Sequence, residues 1–474
     1  MRLLALLGAW ALASLALPAP ALPQAPPAGG YAFPLRVGPT GRHLVDQRGT
    51  PFLLIGDAAW SLIAQPGDSA ADAYLADRQR LGFDAVLVNL IEHRFATRAP
   101  ADAYGDRPFL GRAFATPNEA YFAHADRVIT DAARRGILVL LAPDYLGFGC
   151  GPEGWCAETR AASPLEMHAW GRYVGARYRA YDNIVWVVGG DADPTPVAAR
   201  LEAMVAGIRS ADPRHLFVAH NARGQMGVAP WPRAAWLTVN DIYTGGLEYA
   251  DAGRARALAP PRPFFLVEAR YENEHGTTPQ TLRAQAYWTV LSGGFGQVFG
   301  NCPTWSFGAP EAAAFCRAGS WRDALHAQGS MNMAFLRRLL EARHWSSLVP
   351  DLAHAVLTAG YGTFGSSDYA TAACAADGSS LVAYLPTARP VTVSGSRLAG
   401  SAMTAWWYDP GTGTARRIGT FPTAATRTFA PPAAGDWVLV MDSRRFAFPP
   451  PGPPWAPEGA EGARAAPPPA RGAS

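Results

Sequence analysis

Eight short apolar runs, separated by stretches of helical spacing, limit this chain to very few architectures. The runs are FLLIGD (52–57), AVLVNL (85–90), ILVLLAPD (137–144), NIVWVVGGD (183–191), LFVAH (216–220), WLTVN (236–240), FFLVE (264–268) and GQVFGN (296–301). DAYLADRQRLG precedes the second, EMHAWGRYVGARYRAY the fourth, PVAARLEAMVAGIRSA the fifth and PQTLRAQAYWTVLSG the eighth. NEAYFAHADRVITDAARRG, before the third, sets Tyr121, Phe122, Ala125, Val128, Ile129 and Ala132 on one helical face and stops at Gly136. Continuous apolar strands alternating with helices imply a parallel sheet buried on both faces. Eight such units are the count of a closed (β/α)8 barrel, expected over residues 31–345. A doubly wound sheet is the rival, but no GxGxxG follows the first run.

Beyond about residue 345 the pattern shortens and alternates. SLVAYLP (380–386), PVTVSG (390–395), AMTAWWYDP (402–410), ARRIGTF (415–421) and GDWVLVMD (435–442), with turn residues between, predict a small antiparallel β-sandwich over 346–446. The Pro/Ala/Gly/Arg tail, 447–474, has little to bury and is expected to be disordered. At the other end, residues 1–21 read as a secretory signal: Arg2, an apolar stretch from Leu3 to Leu17, and Ala19-Pro20-Ala21 as the cleavage site. A Pro-rich leader, 22–30, follows. No other stretch has some 18 apolar residues in a row, so no membrane span is expected in the mature chain.

Export implies an oxidising compartment. Of five cysteines, Cys150 and Cys156, and Cys302 and Cys316, are close enough in sequence to close small loops, which leaves Cys374 single. No CxxC spacing suggests zinc. Net charge is +3 without a long basic run, which argues against nucleic acid as a partner. All 41 positive residues are Arg, which excludes Lys Schiff-base chemistry and a P-loop Lys. Among the 15 Trp, most belong to the core, and some can serve as flat platforms for sugars.

Polar groups close nearly every apolar run, where a barrel gathers its active site. They include Asp57, Asn89 with Glu92 and His93, Asp144, Asp191, His220, Asn240 with Asp241, Glu268 and Asn301. Buried charge is costly unless paired, so a purely structural barrel has little reason for this. Asp191 and Glu268, from the fourth and seventh runs, fit glycosidic bond cleavage. One protonates the leaving oxygen, and the other attacks the anomeric carbon or activates water. The spacing alone also suits metal-binding carboxylates, but neither HxH nor HExxH is present, nor is a GxSxG elbow.

Several segments carry a resemblance. PLRVGPTGRHLVDQRGTPFLLIGDAAWSL (34–62), YLADRQRLGFDAVLVNLIEH (74–93), AYGDRPF (103–109), NIVWVVGGDADP (183–194), EARYEN (268–273) and GGFGQVFGNCPTW (293–305) resemble the DUF4038 family, a (β/α)8 group that includes the apiosidases of glycoside hydrolase family 140. The resemblance implies Asp191, in GGD, as acid/base and Glu268, opening ExxYE, as nucleophile. RHWSSLVPD (343–351) and DWVLVMD (436–442) resemble the collagen-binding-type domain commonly paired with it. The loop CGPEGWC (150–156) and the pair Cys302/Cys316 look like local additions near the mouth.

The expected protein is an exported retaining glycosidase acting on polysaccharide side chains, apiose-type pectin decoration among them. No metal or organic cofactor is expected, and the chain is expected to be a monomer. Asp57, Trp60, Asn89, His93, Asp144, Asn240 and Tyr243 are candidate sugar contacts. Tyr271 is placed to hydrogen-bond the nucleophile and Trp305 to stack on a sugar face. Blander roles stand beside these: a salt bridge with an Arg for Glu268, a helix cap for Asp191, a loop brace for Asp57, a rim plug for Trp305. The rival from another class is a non-catalytic surface protein that holds glycan or matrix.

Overall fold

The computed structural model describes residues 30–316 and 319–452. The expected signal (1–21), the leader up to residue 29 and the tail from residue 453 lie outside the described residues. Eight parallel strands form the central sheet: β1 (Leu54–Ala58), β2 (Ala85–Asn89), β3 (Leu138–Ala142), β4 (Ile184–Gly189), β5 (Phe217–His220), β6 (Asn240–Tyr243), β7 (Phe264–Glu268) and β8 (Gly296–Phe299). Their order is β5-β4-β3-β2-β1-β8-β7-β6. Beside β6, the Val239 amide donates to the Phe217 carbonyl at 3.0 Å, which draws the two outer strands together. The result is a nearly closed (β/α)8 barrel.

Both faces of the strands are buried, as continuous apolar runs require. Leu87, Leu140, Val185, Val187, Val218, Phe265 and Val267 fill the interior. Val86, Val88, Val139, Leu141, Trp186 and Val188 meet the helices outside. Those helices include α1 (Asp68–Leu81), α2 (Glu119–Arg134), α3 (Cys156–Ala161), α4 (Pro164–Tyr178), α5 (Ala198–Ala211), α6 (Glu248–Arg256), α7 (Pro279–Leu291), α8 (Trp321–Ala324) and α9 (Gln328–Glu341). Local sequence sets their ends: Ser163 and Glu166 make a capping box at α4, and Thr278 caps α7 ahead of Pro279.

One strand is displaced from its expected place. The apolar run WLTVN lies mostly before β6, and the strand proper is Asn240-Asp241-Ile242-Tyr243. Trp236 packs on Trp231 and Phe217 at the barrel's foot, with ring centroids 5.4 and 6.0 Å away. The paired segment carries Asn and Asp, so a search for apolar runs stops short of it.

The C-terminal strands form two antiparallel sheets. β9 (Leu348–Pro350), β11 (Thr371–Ala375), β12 (Ser380–Leu385), β14 (Ala402–Asp409), β15 (Thr414–Pro422) and β17 (Trp437–Ser443) make six strands ordered β9-β11-β12-β17-β14-β15. β10 (Leu357–Ala359), β13 (Val391–Ser394) and β16 (Thr426–Phe429) make the second sheet. One face of the larger sheet packs on α7 and α9 of the barrel. Tyr287 stacks on Tyr384 with centroids 4.9 Å apart, and Trp288 donates to the Tyr369 carbonyl at 2.8 Å. Arg283 forks onto Asp436 at 2.7 and 2.8 Å. Packing continues past residue 446: Arg343 donates to the Pro449 carbonyl at 3.2 Å, and Phe448 sits 5.5 Å from the His344 ring. The first residues of the expected disordered tail are therefore held, because Phe446 and Phe448 give them apolar surface to bury.

Both close cysteine pairs are disulfides, Cys150–Cys156 and Cys302–Cys316, and Cys374 is a buried free thiol. Among the described residues, no helix is long and apolar enough to cross a membrane.

Candidate active site

Glu268 ends β7 after Val267, whose side chain points into the barrel. Simple alternation would turn Glu268 outward with Leu266, which packs against the helix layer. The β7–β6 register shifts between Leu266 and Glu268. Such a bulge re-aims the next side chain, and Glu268 comes to face His220, which ends β5. The His220 Nε2 lies 3.0 Å from Glu268 Oε2.

Asp191 follows β4 through Gly189 and Gly190. Both glycines have positive φ, 91° and 131°. A Cβ on Gly189 would sit 2.7 Å from the His220 carbonyl oxygen, and one on Gly190 2.4 Å from the Tyr145 ring. Only glycine lets the backbone run this close and swing Asp191, itself at φ 52°, toward the mouth. Donor atoms of Asp191, His220 and Glu268 all lie within 4.8 Å of one another. The two acids from strands four and seven therefore meet.

Aromatic groups frame the pair. The Tyr145 hydroxyl donates to Asp191 Oδ2 at 2.9 Å, and Tyr243 also hydrogen-bonds Asp191. Trp60 lies parallel to His220 at 5.9 Å and donates from Nε1 to the Tyr271 hydroxyl at 3.0 Å. Tyr271 in turn hydrogen-bonds Glu268. Tyr243 packs 5.1 Å from His220 and supports the Arg223 guanidinium, 5.3 Å above its ring. Beside Tyr271 opens a cavity of about 200 Å³ whose lining includes Arg223, Ala269, Arg270, Glu274 and His275.

Burial raises the proton affinity of Glu268, and the Asp191 charge raises it further, while His220 and Tyr271 oppose both. For His220 burial works against the charged ring, but the hydrogen bond and charge of Glu268 prevail and lift it to about 9. The direction is an ion pair, imidazolium on carboxylate. Asp191, His220 and Glu268 are also the trio whose donor atoms could converge on a metal. The imidazole nitrogen nearest Glu268 is occupied by their shared proton, which favours the ion pair over a cation.

The His220–Glu268 pair has a pH consequence. A folded value raised from 6.5 to about 9 means that the pair's contribution is complete below pH 6.5 and lost as pH rises through about 9. Thermal stability and kcat should both fall through that upper window. His220→Gln should remove this alkaline limb from the melting curve and lower kcat by about 10- to 100-fold, the worth of a hydrogen bond to a charged group. An unchanged alkaline limb in that variant would disprove the pairing.

The other expected contacts divide. Trp60, Tyr243 and Tyr271 join the carboxylate pair. Asp57 does not: it shares the strand parity of outward-packing Ile55 and is fully buried under α1, where it accepts from Tyr74 at 2.7 Å and Arg78 at 3.2 Å. Asp144 is likewise buried and takes the Thr159 hydroxyl of α3 at 2.8 Å. Asn240 turns outward and accepts the Val228 amide at 3.0 Å. Asn89 donates to Glu92 at 3.2 Å, and Glu92 takes the amides of His93, Arg94 and Phe95, so the two brace the loop after β2. His93 pairs with Glu158 at 3.3 Å and meets Trp155 edge-on. Trp305 is buried beside Phe95 and donates to Glu274 at 3.1 Å, with no broad face presented as a platform. His220, Tyr145, Arg223 and Glu274 were not among the expected contacts. His220 closes LFVAH as Glu268 closes FFLVE and belongs to the strand-end polar groups, though the sequence assigns it no contact.

A (β/α)8 barrel with two facing carboxylates after its fourth and seventh strands defines the class: this is a glycoside hydrolase, and its substrate is carbohydrate. More particularly, the chain belongs to the apiosidase-like family, whose catalytic-domain model matches residues 39–347. Residues 361–442 match the model of a collagen-binding domain of a collagenase. Two solved structures share the fold. One, described as a glycoside hydrolase, is 23% identical with a TM-score of 0.77, covering 90% of this chain and 99% of its own. The other, a family 5 glycoside hydrolase from Bacteroides vulgatus, is 24% identical with a TM-score of 0.77, covering 86% and 93%. A search of curated proteins finds no match.

Proposed function

We propose that this enzyme cleaves glycosidic bonds with retention, with Glu268 as nucleophile and Asp191 as acid/base. The single observation that carries this reading is the approach of one Asp191 carboxylate oxygen to within 4.8 Å of one Glu268 carboxylate oxygen. Retaining enzymes hold their carboxyl groups about 5–5.5 Å apart, whereas inverting ones leave about 6.5–9.5 Å for a water. In the first step a Glu268 oxygen attacks the anomeric carbon as the bond to the leaving oxygen breaks, and Asp191 gives that oxygen its proton. In the second, Asp191 takes a proton from water, the water oxygen attacks the same carbon, and Glu268 departs as carboxylate. Tyr145 donates to Asp191 Oδ2, and Tyr243 also hydrogen-bonds this carboxyl group, so two hydroxyls orient it for the proton transfer. His220 and Tyr271 offer the positive charge and hydrogen bond that keep Glu268 ionised in its buried place.

The substrate class that fits best is a polysaccharide side chain, with the apiose decorations of pectin as the first candidate. Family membership supports this choice. Export fits the leading segment of the sequence and the two disulfides, which persist in oxidising compartments. Turnover of aryl glycosides and pectic oligosaccharides, followed by proton NMR from the first minutes, tests the reading. The first-formed sugar should keep the anomeric configuration of the substrate; the opposite anomer would exclude Glu268 as nucleophile.

A further inference from the structure

Glu274 has no part in the two-carboxylate chemistry, yet it lines the cavity beside Tyr271. Three features hold it there. Trp305 Nε1 donates to Oε1 at 3.1 Å, and Oε1 is thereby engaged. The Thr277 amide donates to the Glu274 carbonyl at 2.8 Å and closes the turn. The sulfurs of Cys302 and Cys316 lie within 4.8 Å of a Glu274 oxygen, so a disulfide shields one side of the carboxyl group. The disulfide also fixes the segment that carries Trp305, whose Nε1 is 3.2 Å from Cys302 Sγ. Lining the same cavity is Arg223, poised over the Tyr243 ring.

A volume of about 200 Å³ is smaller than the roughly 300–1,000 Å³ of pockets for drug-sized ligands. It suits one sugar ring better than a chain. Its polar lining residues can bind hydroxyls: Arg223, Arg270, Glu274, His275, Tyr271, Thr244 and Thr277.

Resting on the glycosidase reading, we propose that this cavity is a single-ring sugar subsite and that Glu274 determines its specificity, with Oε2 hydrogen-bonded to a hydroxyl of the bound ring. The residue differs from Asp191 and Glu268 in taking no part in bond breaking. Its proton is part of the recognition. Burial raises its value to about 7; Trp305 and Arg223 pull it down, and the charges of Glu268 and Asp191 push it up. Arg270 and His275 are the other ionisable groups of the cavity wall. Below pH 7 the carboxyl group donates to a sugar oxygen. Above it, the group can only accept and adds a negative charge beside the pair.

The test uses the full-length enzyme and the aryl glycoside it turns over fastest, with kcat and KM measured from pH 5 to 8.5. Wild-type KM should rise severalfold above pH 7. Glu274→Gln keeps the shape, the bond from Trp305 and a donor at every pH, so its KM should stay flat across that range. Glu274→Ala should raise KM about 5- to 10-fold at pH 6, the worth of one hydrogen bond, with kcat changed less than threefold. Circular dichroism and melting curves establish that each variant is folded. A KM within twofold of wild type for Glu274→Ala, or an alkaline rise that persists in Glu274→Gln, would overturn the subsite while leaving the glycosidase reading intact. A collapse of kcat in Glu274→Gln would make Glu274 a reacting group and overturn it as well. Absence of wild-type turnover on every glycoside tried would remove both.

Discussion

Glu268→Gln is expected to lower kcat by at least ~10⁴-fold, the scale on which loss of a covalent nucleophile acts. The amide is nearly isosteric and can still accept from Tyr271, so the fold should persist. What it cannot do is attack carbon or carry the charge that His220 faces at 3.0 Å. Substrate affinity should survive or improve, because the amide removes one of two repelling carboxylates. A residual rate within tenfold of wild type would require another nucleophile. A small external anion gives a finer check. Glu268→Gly opens space at the end of β7, and azide should restore turnover there and yield a glycosyl azide of inverted configuration. Failure of azide together with normal folding would argue against attack at that position.

Much of this arrangement is legible in the sequence. Seven of the eight runs coincide with barrel strands, because parallel strands covered on both faces need apolar residues at consecutive positions. The sixth does not, because Asn240 and Asp241 occupy the paired segment. Asp191 and Glu268 are legible because they close the fourth and seventh runs, on facing sides of the mouth. Side-chain direction was harder to see. Asp57 and Asn240 also sit on strands, but odd-even alternation turns them toward the helix layer, where α1 and the Val228 amide satisfy them. Glu268 breaks that same alternation through a bulge that no local residue announces. Asp144 looks like a mouth residue until Thr159 of α3 is seen to occupy it. The sandwich is legible by its period, but β9, β10, β11 and β16 carry no such signal, being short or built on Ala and Thr. Its docking through Arg283–Asp436 and Tyr287–Tyr384 joins residues about a hundred or more positions apart, which periodicity does not register.

Asp191→Ala should produce a loss that depends on the leaving group. General acid–base assistance contributes about 10²- to 10⁴-fold, and its share grows with the basicity of the departing oxygen. With a sugar or alcohol leaving group, kcat/KM should therefore fall by ~10³-fold or more. With a dinitrophenyl leaving group, which departs without a proton, formation of the glycosyl-enzyme should be little affected. Hydrolysis of that intermediate still needs Asp191 as base, so the variant should show a burst of phenolate followed by a slow steady state, and mass spectrometry should find the sugar on the peptide that contains Glu268. Azide should accelerate the slow phase, since it needs no base. The pattern separates the two roles in a way that a simple loss of activity does not. If Asp191 merely capped the following turn or oriented Tyr145, both leaving groups would suffer equally and no intermediate would accumulate. The geometry favours the first outcome: the Gly189-Gly190 step delivers an Asp191 oxygen to within 4.8 Å of a Glu268 oxygen.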